Sequence, residues 1–251
     1  MNTDPFSLEG KRILVTGASS GIGRQVAVSC AAMGATLVIT GRNEARLQET
    51  FLQLDGAGHT TVTADLCAAE ERARLADAAL AINGVAHCAG ITAIVPFRMI
   101  AEKHMNEMFD TNFRAPILLT QRLVAKKQVL PGGSIVFIAA TAALIGPTAT
   151  GMYAASKAAL IPAARVLALE LGAKQKIRVN CVAPGYTRTP MLEGFDSQGT
   201  SMQANYALAP LGLGEPADVA NAVVFFLSDA SRWITRATFA VDGGLTSRVS
   251  C

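Results

Sequence analysis

The chain has 251 residues, of which 51% are hydrophobic and 16% are charged. This composition excludes a disordered chain, because so much apolar surface can form a large core. The 22 Lys and Arg and 19 Asp and Glu residues leave a net charge of +3, too small an excess to favour nucleic acid as a partner. Five cysteines are scattered singly without metal-ligand spacing, so we expect reduced thiols, a cytoplasmic location and no metal site.

The longest apolar stretch, residues 158–173, is interrupted by Pro162, Arg165 and Glu170. These three residues argue against a membrane-spanning segment. Residues 1–8 lack the basic and then apolar pattern of a secretory signal. The sequence therefore predicts no membrane partner.

Short β-rich runs alternate with longer helical patterns along the chain. The patterns predict strands at residues 12–16, 36–40, 61–64, 85–88, 134–138, 177–183 and 238–241. They predict helices at residues 22–33, 44–54, 68–82, 107–129, 152–172 and 216–227, and a less regular segment at residues 191–209. Most strands are apolar throughout, which is typical of a parallel sheet covered on both faces. We predict one doubly wound α/β domain over residues 1–251, with about seven parallel strands and ligands beyond their carboxyl ends.

A glycine-rich turn directly follows the first strand: Thr16-Gly17-Ala18-Ser19-Ser20-Gly21-Ile22-Gly23. Glycines at these positions allow a tight turn and let a pyrophosphate approach the backbone. The next helix begins here, so its unpaired N–H groups and its dipole favour an anion. A strand, a glycine-rich turn and a helix in this order predict a dinucleotide-binding loop.

Two motifs carry a family resemblance: the Gly-x3-Gly-x-Gly spacing of this loop and Tyr153-Ala154-Ala155-Ser156-Lys157. Further matching motifs are Asp65-Leu66, Asp110-Thr111-Asn112, Pro184-Gly185-Tyr186-Thr187-Arg188-Thr189 and Val241-Asp242-Gly243-Gly244. With them the chain resembles the classical short-chain dehydrogenases/reductases over nearly all of residues 10–244, and most of all the 3-oxoacyl-carrier-protein reductases. The resemblance implies hydride transfer between a nicotinamide cofactor and a ketone or secondary alcohol. It implies these cofactor contacts: Gly17, Ser19, Ser20, Gly21, Ile22, Gly23, Arg42, Asp65, Leu66, Ala89, Gly90, Tyr153, Lys157, Pro184, Gly185, Thr187 and Thr189.

The end of the second strand bears on the choice of cofactor. An acidic residue there would bind the ribose hydroxyls of NAD and repel a 2′-phosphate. The chain has Gly41 instead, and the guanidinium of Arg42 matches the geometry of a phosphate. The sequence therefore predicts NADP(H) in preference to NAD(H).

Tyr153 and Lys157 are four residues apart and so lie on one face of a helix. A phenol normally has a pKa of about 10, and a nearby ammonium group lowers that pKa. We expect Lys157 to lower the pKa of Tyr153 and Tyr153 to exchange a proton with the substrate oxygen. The resemblance implies that Lys157 also binds the ribose, and that Asn112 holds a water that links Lys157 to solvent.

One catalytic position departs from the family. The family has a Ser thirteen residues before its Tyr, and this chain has Ala140 there. Thr141 is our first candidate for a substitute donor, followed by Thr148 and Thr150. The alternative is an NADP-binding regulatory or weakly active protein, or a chain that carries a Ser→Ala replacement.

His87-Cys88 stands where the family has Asn-Asn after the fourth strand. We predict that His87 is a structural hydrogen-bonding substitute, because no second metal ligand lies near it in sequence.

Three loops form the predicted substrate side and are largely apolar: residues 91–97, 144–152 and 191–209. We predict substrate contacts from Ala140, Met191 and Phe195, and a mobile lid over approximately residues 190–210. An apolar ketone or an acyl thioester suits these loops better than a sugar phosphate, for which they offer no basic cluster.

Two further expectations concern protein partners. The predicted helices at residues 107–129 and 152–172 are apolar over more surface than one sheet contact covers, so we predict a homotetramer or homodimer. Four lysines offer a surface for an acidic acyl carrier protein, although solvated helix ends explain them as well: Lys126, Lys127, Lys174 and Lys176.

Overall fold

The structure, a computed structural model, describes residues 4–196 and 203–247. Seven parallel strands form one sheet in the order β3-β2-β1-β4-β5-β6-β7. The strands are β1 Arg12–Thr16, β2 Thr36–Gly41, β3 Thr60–Thr63, β4 Ile82–His87, β5 Val129–Ile138, β6 Arg178–Pro184 and β7 Thr238–Val241. The sheet confirms the predicted doubly wound Rossmann fold, and its order reverses between β1 and β4.

Helices cover both faces of the sheet. Within the described residues they are α1 Gly21–Ala32, α2 Glu44–Phe51, α3 Ala69–Ala79, α4 Glu102–Phe109, α5 Ala115–Ala125, α6 Ala142–Ile145, α7 Gly151–Gln175, α8 Pro190–Asp196, α9 Gln203–Tyr206 and α10 Pro216–Leu227. Leu75 of α3, Leu119 of α5 and Leu160 of α7 belong to the core on one face. Val26 of α1 and Val223 of α10 belong to the core on the other. This double burial explains why the central strands are apolar throughout.

The fourth strand begins earlier than the sequence predicts. The helix predicted at residues 68–82 ends at Ala79, because Leu80 adopts a positive φ of 56° that an α-helix does not accommodate. The strand then begins at Ile82 and includes Gly84. A Cβ at Gly84 would lie 2.8 Å from Leu227 and 2.9 Å from the carbonyl oxygen of Ser134, so only glycine fits here.

The helix predicted at residues 107–129 is three segments instead of one. Helix α4 and helix α5 flank a π-helical turn, Asp110–Arg114, and α5 ends at Ala125. The backbone reverses at Lys127, whose φ is 55°, and β5 begins at Val129, paired with Ile82. The prediction started β5 at residue 134, because Pro131-Gly132-Gly133 interrupts the apolar pattern at an irregularity in the pairing with β4.

The predicted irregular segment at residues 191–209 contains two short helices, α8 and α9. Met202 and the side chain of Phe195 lie outside the described residues. Of the predicted lid at residues 190–210, the structure therefore describes the backbone of residues 190–196 and 203–210.

Helix α7 is long and apolar enough to cross a membrane by length and composition alone. Its buried residues, which include Lys157 and Leu160, face the sheet, and the helix contacts β5 and β6. Its most apolar stretch is 33% buried, and core helices of proteins that do not cross a membrane meet the same length and composition criteria.

Candidate active site

A cavity of about 1110 Å³ opens beyond the carboxyl ends of the strands and brings most of the predicted site residues together. The following predicted residues line it: Gly17, Ser19, Ser20, Gly21, Ile22, Gly23, Arg42, Asp65, Leu66, Ala89, Gly90, Ala140, Thr141, Tyr153, Lys157, Pro184, Gly185, Thr187, Thr189 and Met191. Asn112 lies behind the wall, where its side chain contacts the backbone of Ile91, which lines the cavity. Thr148 and Thr150 also line the cavity.

The turn after β1 has the geometry of a phosphate cradle. Gly17 has a φ of 66°, and a Cβ there would lie 2.7 Å from the backbone of Ala89. A Cβ at Gly23 would overlap the carbonyl oxygen of Gly17, so these two glycines permit the close packing of strand, turn and helix. Ser20 occupies the N-cap of α1 without a side-chain cap hydrogen bond, which leaves the first N–H groups of the helix for an anion. The backbone cradle fits the pyrophosphate of a dinucleotide.

The end of the cavity beside β2 and α2 is basic. Arg42 is exposed at the rim after β2, and Arg46 on α2 also lines the cavity. Arg46 is not among the residues predicted from the sequence, although its spacing of four residues from Arg42 is a signal. A Cβ at Gly41 would lie 3.1 Å from the side chain of Ser19, so the close approach of β2 to the phosphate turn restricts that position to a small residue.

Tyr153 and Lys157 project from the first turns of α7 toward the cavity. The Lys157 ammonium is buried and donates a 2.7 Å hydrogen bond to the carbonyl oxygen of Ile138. Burial lowers the pKa of Lys157 to about 8. Burial also raises the pKa of Tyr153 to about 12. The pKa of Tyr153 therefore shifts opposite to the expected direction, because burial desolvates the phenolate.

Asn112 lies in the π-helical turn between α4 and α5 and is buried. Its Nδ2 donates to the carbonyl oxygen of Ile91 and to Ser156 Oγ, both at 3.0 Å, and its Oδ1 accepts from the Ile91 N–H at 2.9 Å. A Cβ at Gly90 would lie 3.1 Å from Asn112 Oδ1 and 3.1 Å from Lys157 Nζ. The missing side chain of Gly90 thus leaves a gap between the amide and the ammonium.

This geometry agrees with the comparison with known proteins. A sequence-family model described as enoyl-(acyl carrier protein) reductase matches residues 17–246. The chain belongs to the short-chain dehydrogenase/reductase family.

Two curated relatives and one solved structure illustrate the similarity. The chain is 36% identical over 250 residues to L-xylulose reductase of Caenorhabditis elegans, with 96% of this chain and 98% of the relative covered. It is 35% identical over 258 residues to (3R)-3-hydroxyacyl-CoA dehydrogenase of Canis lupus familiaris, with the same shares covered. A structure from Agrobacterium tumefaciens with bound NADP, described as a candidate 2-deoxy-d-gluconate 3-dehydrogenase, has a TM-score of 0.87 and 31% identity, and covers 98% of this chain and 100% of its own.

Two of the three candidate hydroxyls near the family's serine position, those of Thr141 and Thr150, already have acceptors. Thr141 Oγ1 donates to the carbonyl oxygen of Pro184 at 3.1 Å, and the Thr141 N–H donates to the same oxygen at 2.9 Å. Thr150 Oγ1 donates to the carbonyl oxygen of Pro147 at 2.7 Å. Thr148 is exposed and has no hydrogen-bond partner in the part of the chain that the structure describes.

His87 takes the place of the first asparagine of the family motif and is buried at the end of β4. Its Nε2 lies 2.8 Å from Thr120 Oγ1, and its ring stacks on Phe137 with a centroid distance of 4.9 Å. Because Thr120 donates its hydroxyl hydrogen to the carbonyl oxygen of Pro116, we assign the proton to Nε2, which leaves Nδ1 without a partner. Burial lowers the pKa of His87 to about 3, so the imidazole is neutral and serves as packing.

Acid should destabilise the protein through His87. Between about pH 6.5 and pH 3 the unfolded chain binds a proton at His87 that the folded chain excludes. As the pH is lowered through this range, the free energy of unfolding therefore decreases by up to about 1.4 kcal/mol per pH unit. His87→Asn removes this dependence. Urea denaturation at several pH values from about 7 to 5 should show that the wild type loses stability faster than the variant. Parallel curves for the two proteins would contradict the neutral, buried assignment.

Proposed function

We propose that the protein is an NADP(H)-dependent oxidoreductase that interconverts a ketone and a secondary alcohol by hydride transfer. The observation that carries the proposal is that one cavity holds the phosphate cradle, Arg42 and the Tyr153–Lys157 pair. The family membership supports the chemistry, and the NADP in the Agrobacterium tumefaciens structure supports the cofactor. Residues 1–251 act as a single domain.

The side chains divide the proton chemistry between them, and the nicotinamide ring supplies or accepts the hydride when it is bound. Tyr153 keeps its proton at neutral pH because burial raises its pKa, and it gives this proton to the carbonyl oxygen during reduction. Lys157, charged at pH 7, binds the ribose hydroxyls and lies beside the gap at Gly90. A water in this gap links Lys157 to Asn112 and relays a proton that replaces the one given up by Tyr153.

The substrate is an apolar ketone or an acyl thioester. Charged side chains among the described lining residues are confined to Arg42, Arg46, Asp65 and Lys157, which the cofactor engages. The other end of the cavity is apolar, and its lining includes Ile91, Ile94, Ile145, Met191, Leu192 and Leu208. The name of the hydroxyacyl-CoA relative supports an acyl thioester.

The partner is a small molecule in a cytoplasmic protein, rather than a nucleic acid or a membrane. An acyl carrier protein stays an alternative partner that no contact supports. Lys126, one of the four lysines considered for a carrier protein, forms an ion pair with Asp77 on α3. Its charge is therefore already partly satisfied within the chain.

Arg42 should determine the preference for NADPH. Arg42→Gln is expected to weaken NADPH binding about tenfold to a hundredfold, the loss typical of a charge-assisted hydrogen bond, and to leave NADH binding nearly unchanged. Arg232→Gln, an exposed position outside the cavity, is the matched control. Fluorescence titration with both cofactors tests this. Equal affinity of the unmodified protein for NADPH and NADH would refute the preference.

Thr141 is the substitute donor for the substrate oxygen in this proposal. Its hydroxyl bond to Pro184 is longer than its N–H bond to the same oxygen, so the hydroxyl can turn to a substrate while the oxygen keeps a donor. Thr150 has the opposite order: its hydroxyl lies 2.7 Å from the carbonyl oxygen of Pro147 and its N–H lies 3.2 Å from the same oxygen. The alternative function, an NADP-binding regulatory or weakly active protein, rests on Ala140, which offers no donor.

Turnover of two variants on one accepted ketone separates these functions. If Thr141 is the donor, Thr141→Val should lower turnover about 10²–10³-fold, and Ala140→Ser should change it little. Thr150→Val is the matched control and should have little effect. A weakly active protein predicts the reverse, a large gain in Ala140→Ser and no loss in Thr141→Val.

The protein acts as a homodimer or homotetramer through α5 and α7. Val166 and Leu169 of α7 are 56% and 57% exposed, and Leu118 of α5 is 38% exposed. Exposed apolar side chains on helices are typical of an interface.

Light scattering at micromolar concentration should give a mass of at least two chains for the wild type. Leu169→Glu places a charge in the apolar contact and is expected to lower the mass to one chain or half the assembly. Leu52→Glu, an exposed leucine beyond the end of α2, should leave the mass unchanged. A monomeric wild type would refute the assembly.

A further inference from the structure

Arg24 on α1 joins the phosphate turn to helix α2. Its Nη2 donates to the carbonyl oxygen of Ser19 at 2.8 Å and to Glu49 Oε2 at 2.9 Å. Its Nε donates to Thr50 Oγ1 at 3.0 Å. Nη2 also donates to the carbonyl oxygen of Arg46 at 3.3 Å. One partly buried guanidinium therefore holds four acceptors, one on the turn and three on α2.

Thr50 completes the connection from the side of α2. The residue is fully buried, and its hydroxyl lies 2.8 Å from the carbonyl oxygen of Ala18, to which it donates. Arg24 and Thr50 thus hold the carbonyl groups of two consecutive residues of the turn, Ala18 and Ser19. Since these contacts are largely shielded from water, the distance between the turn and α2 is closely constrained.

Helix α2 in turn fixes the basic end of the cavity. Asn43 caps the helix, and its Oδ1 accepts from the Arg46 N–H at 2.9 Å. Arg42 directly precedes this cap, and Arg46 lies on the first turn. A shift of α2 relative to the phosphate turn would therefore move both arginines away from a ligand held by the turn.

Arg24 also controls the charge at this end. Glu49 lies three residues after Arg46 on the same helix, a spacing at which opposite charges pair. The ion pair of Glu49 with Arg24 occupies that carboxylate. Neither Arg42 nor Arg46 forms an ion pair with any of the described residues.

We infer that Arg24 is a positioning residue for the 2′-phosphate of NADP(H), and that Arg46 is a second cation for this phosphate beside Arg42. Arg24 sets the distance between the pyrophosphate cradle and the two arginines, and it keeps Glu49 from neutralising Arg46. The inference rests on the proposed preference for NADP(H), since a chain without that preference has no use for the arrangement.

The test compares two ligands that differ only in the 2′-phosphate: adenosine 2′,5′-bisphosphate and 5′-AMP. The measured quantity is the ratio of their dissociation constants. Arg24→Met is expected to reduce the preference for the bisphosphate about tenfold, as is typical for the loss of a charge-assisted contact. Adding Glu49→Gln to Arg24→Met should restore part of the preference, because it removes the carboxylate that competes for Arg46. Arg46→Gln should reduce the preference on its own.

Arg12 offers a matched control. Its guanidinium also joins two elements, through Ala79 and Thr60, but it lies at the amino end of β1, away from the cavity. Arg12→Met should lower the thermal stability and leave the ligand preference unchanged. An equal loss of affinity for both ligands in Arg24→Met would indicate a merely structural role and overturn the inference.

The remaining outcomes are also distinct. A wild type that binds both ligands equally overturns the NADP(H) preference and the inference together. A wild type that prefers the bisphosphate, with the same preference in Arg24→Met, overturns the inference alone. Should Arg24→Met not fold, Thr50→Val removes the hydroxyl that links Arg24 to the turn, and an unchanged preference there overturns the inference equally.

Discussion

The contact between the ends of β1 and β4 is the constraint on which the whole site depends. Gly17 approaches the backbone of Ala89 so closely that no Cβ fits between them. Thr16 Oγ1 reinforces the contact by accepting from the N–H groups of Cys88 and Ala89 at 3.1 and 3.2 Å. The strand order reverses at this point, so the loops on either side turn away from each other and leave a crevice. The phosphate cradle opens on one side and the Tyr153–Lys157 pair on the other.

Burial of the reactive side chains costs stability and sets their protonation. Both charged forms are disfavoured by desolvation, so the pKa of Lys157 falls while that of Tyr153 rises. The two values, about 8 and about 12, place a neutral phenol beside an ammonium at pH 7. This is the protonation state that the proposed reduction requires, because the phenol must hold a proton to give. The hydrogen bond from Lys157 to Ile138 offsets part of the cost of the buried charge.

The sequence predicts features that depend on local pattern and misses those that depend on packing. All seven strands and the glycine turn follow from apolar runs and from residues whose backbone demands are local. The breaks at Leu80 and Lys127 were missed, because a positive φ at an ordinary residue is imposed by the elements that follow it. The raised pKa of Tyr153 was missed because desolvation is a property of the assembled cavity. Arg24 carried no signal, since its partner Glu49 lies 25 positions away in the chain.

The replacement of the family's two asparagines by His87-Cys88 at the end of β4 also acts through packing and burial. The family's two asparagines fill this place with amide groups, whereas His87 fills it with a ring stacked on Phe137 and a bond to Thr120. Burial also raises the pKa of the Cys88 thiol to about 12, so this side chain stays neutral beside Lys157. Two neutral groups of this kind leave the ammonium of Lys157 as the charge that dominates the reactive end of the cavity. The replacement therefore changes packing without adding a competing acid or base to the pair on α7.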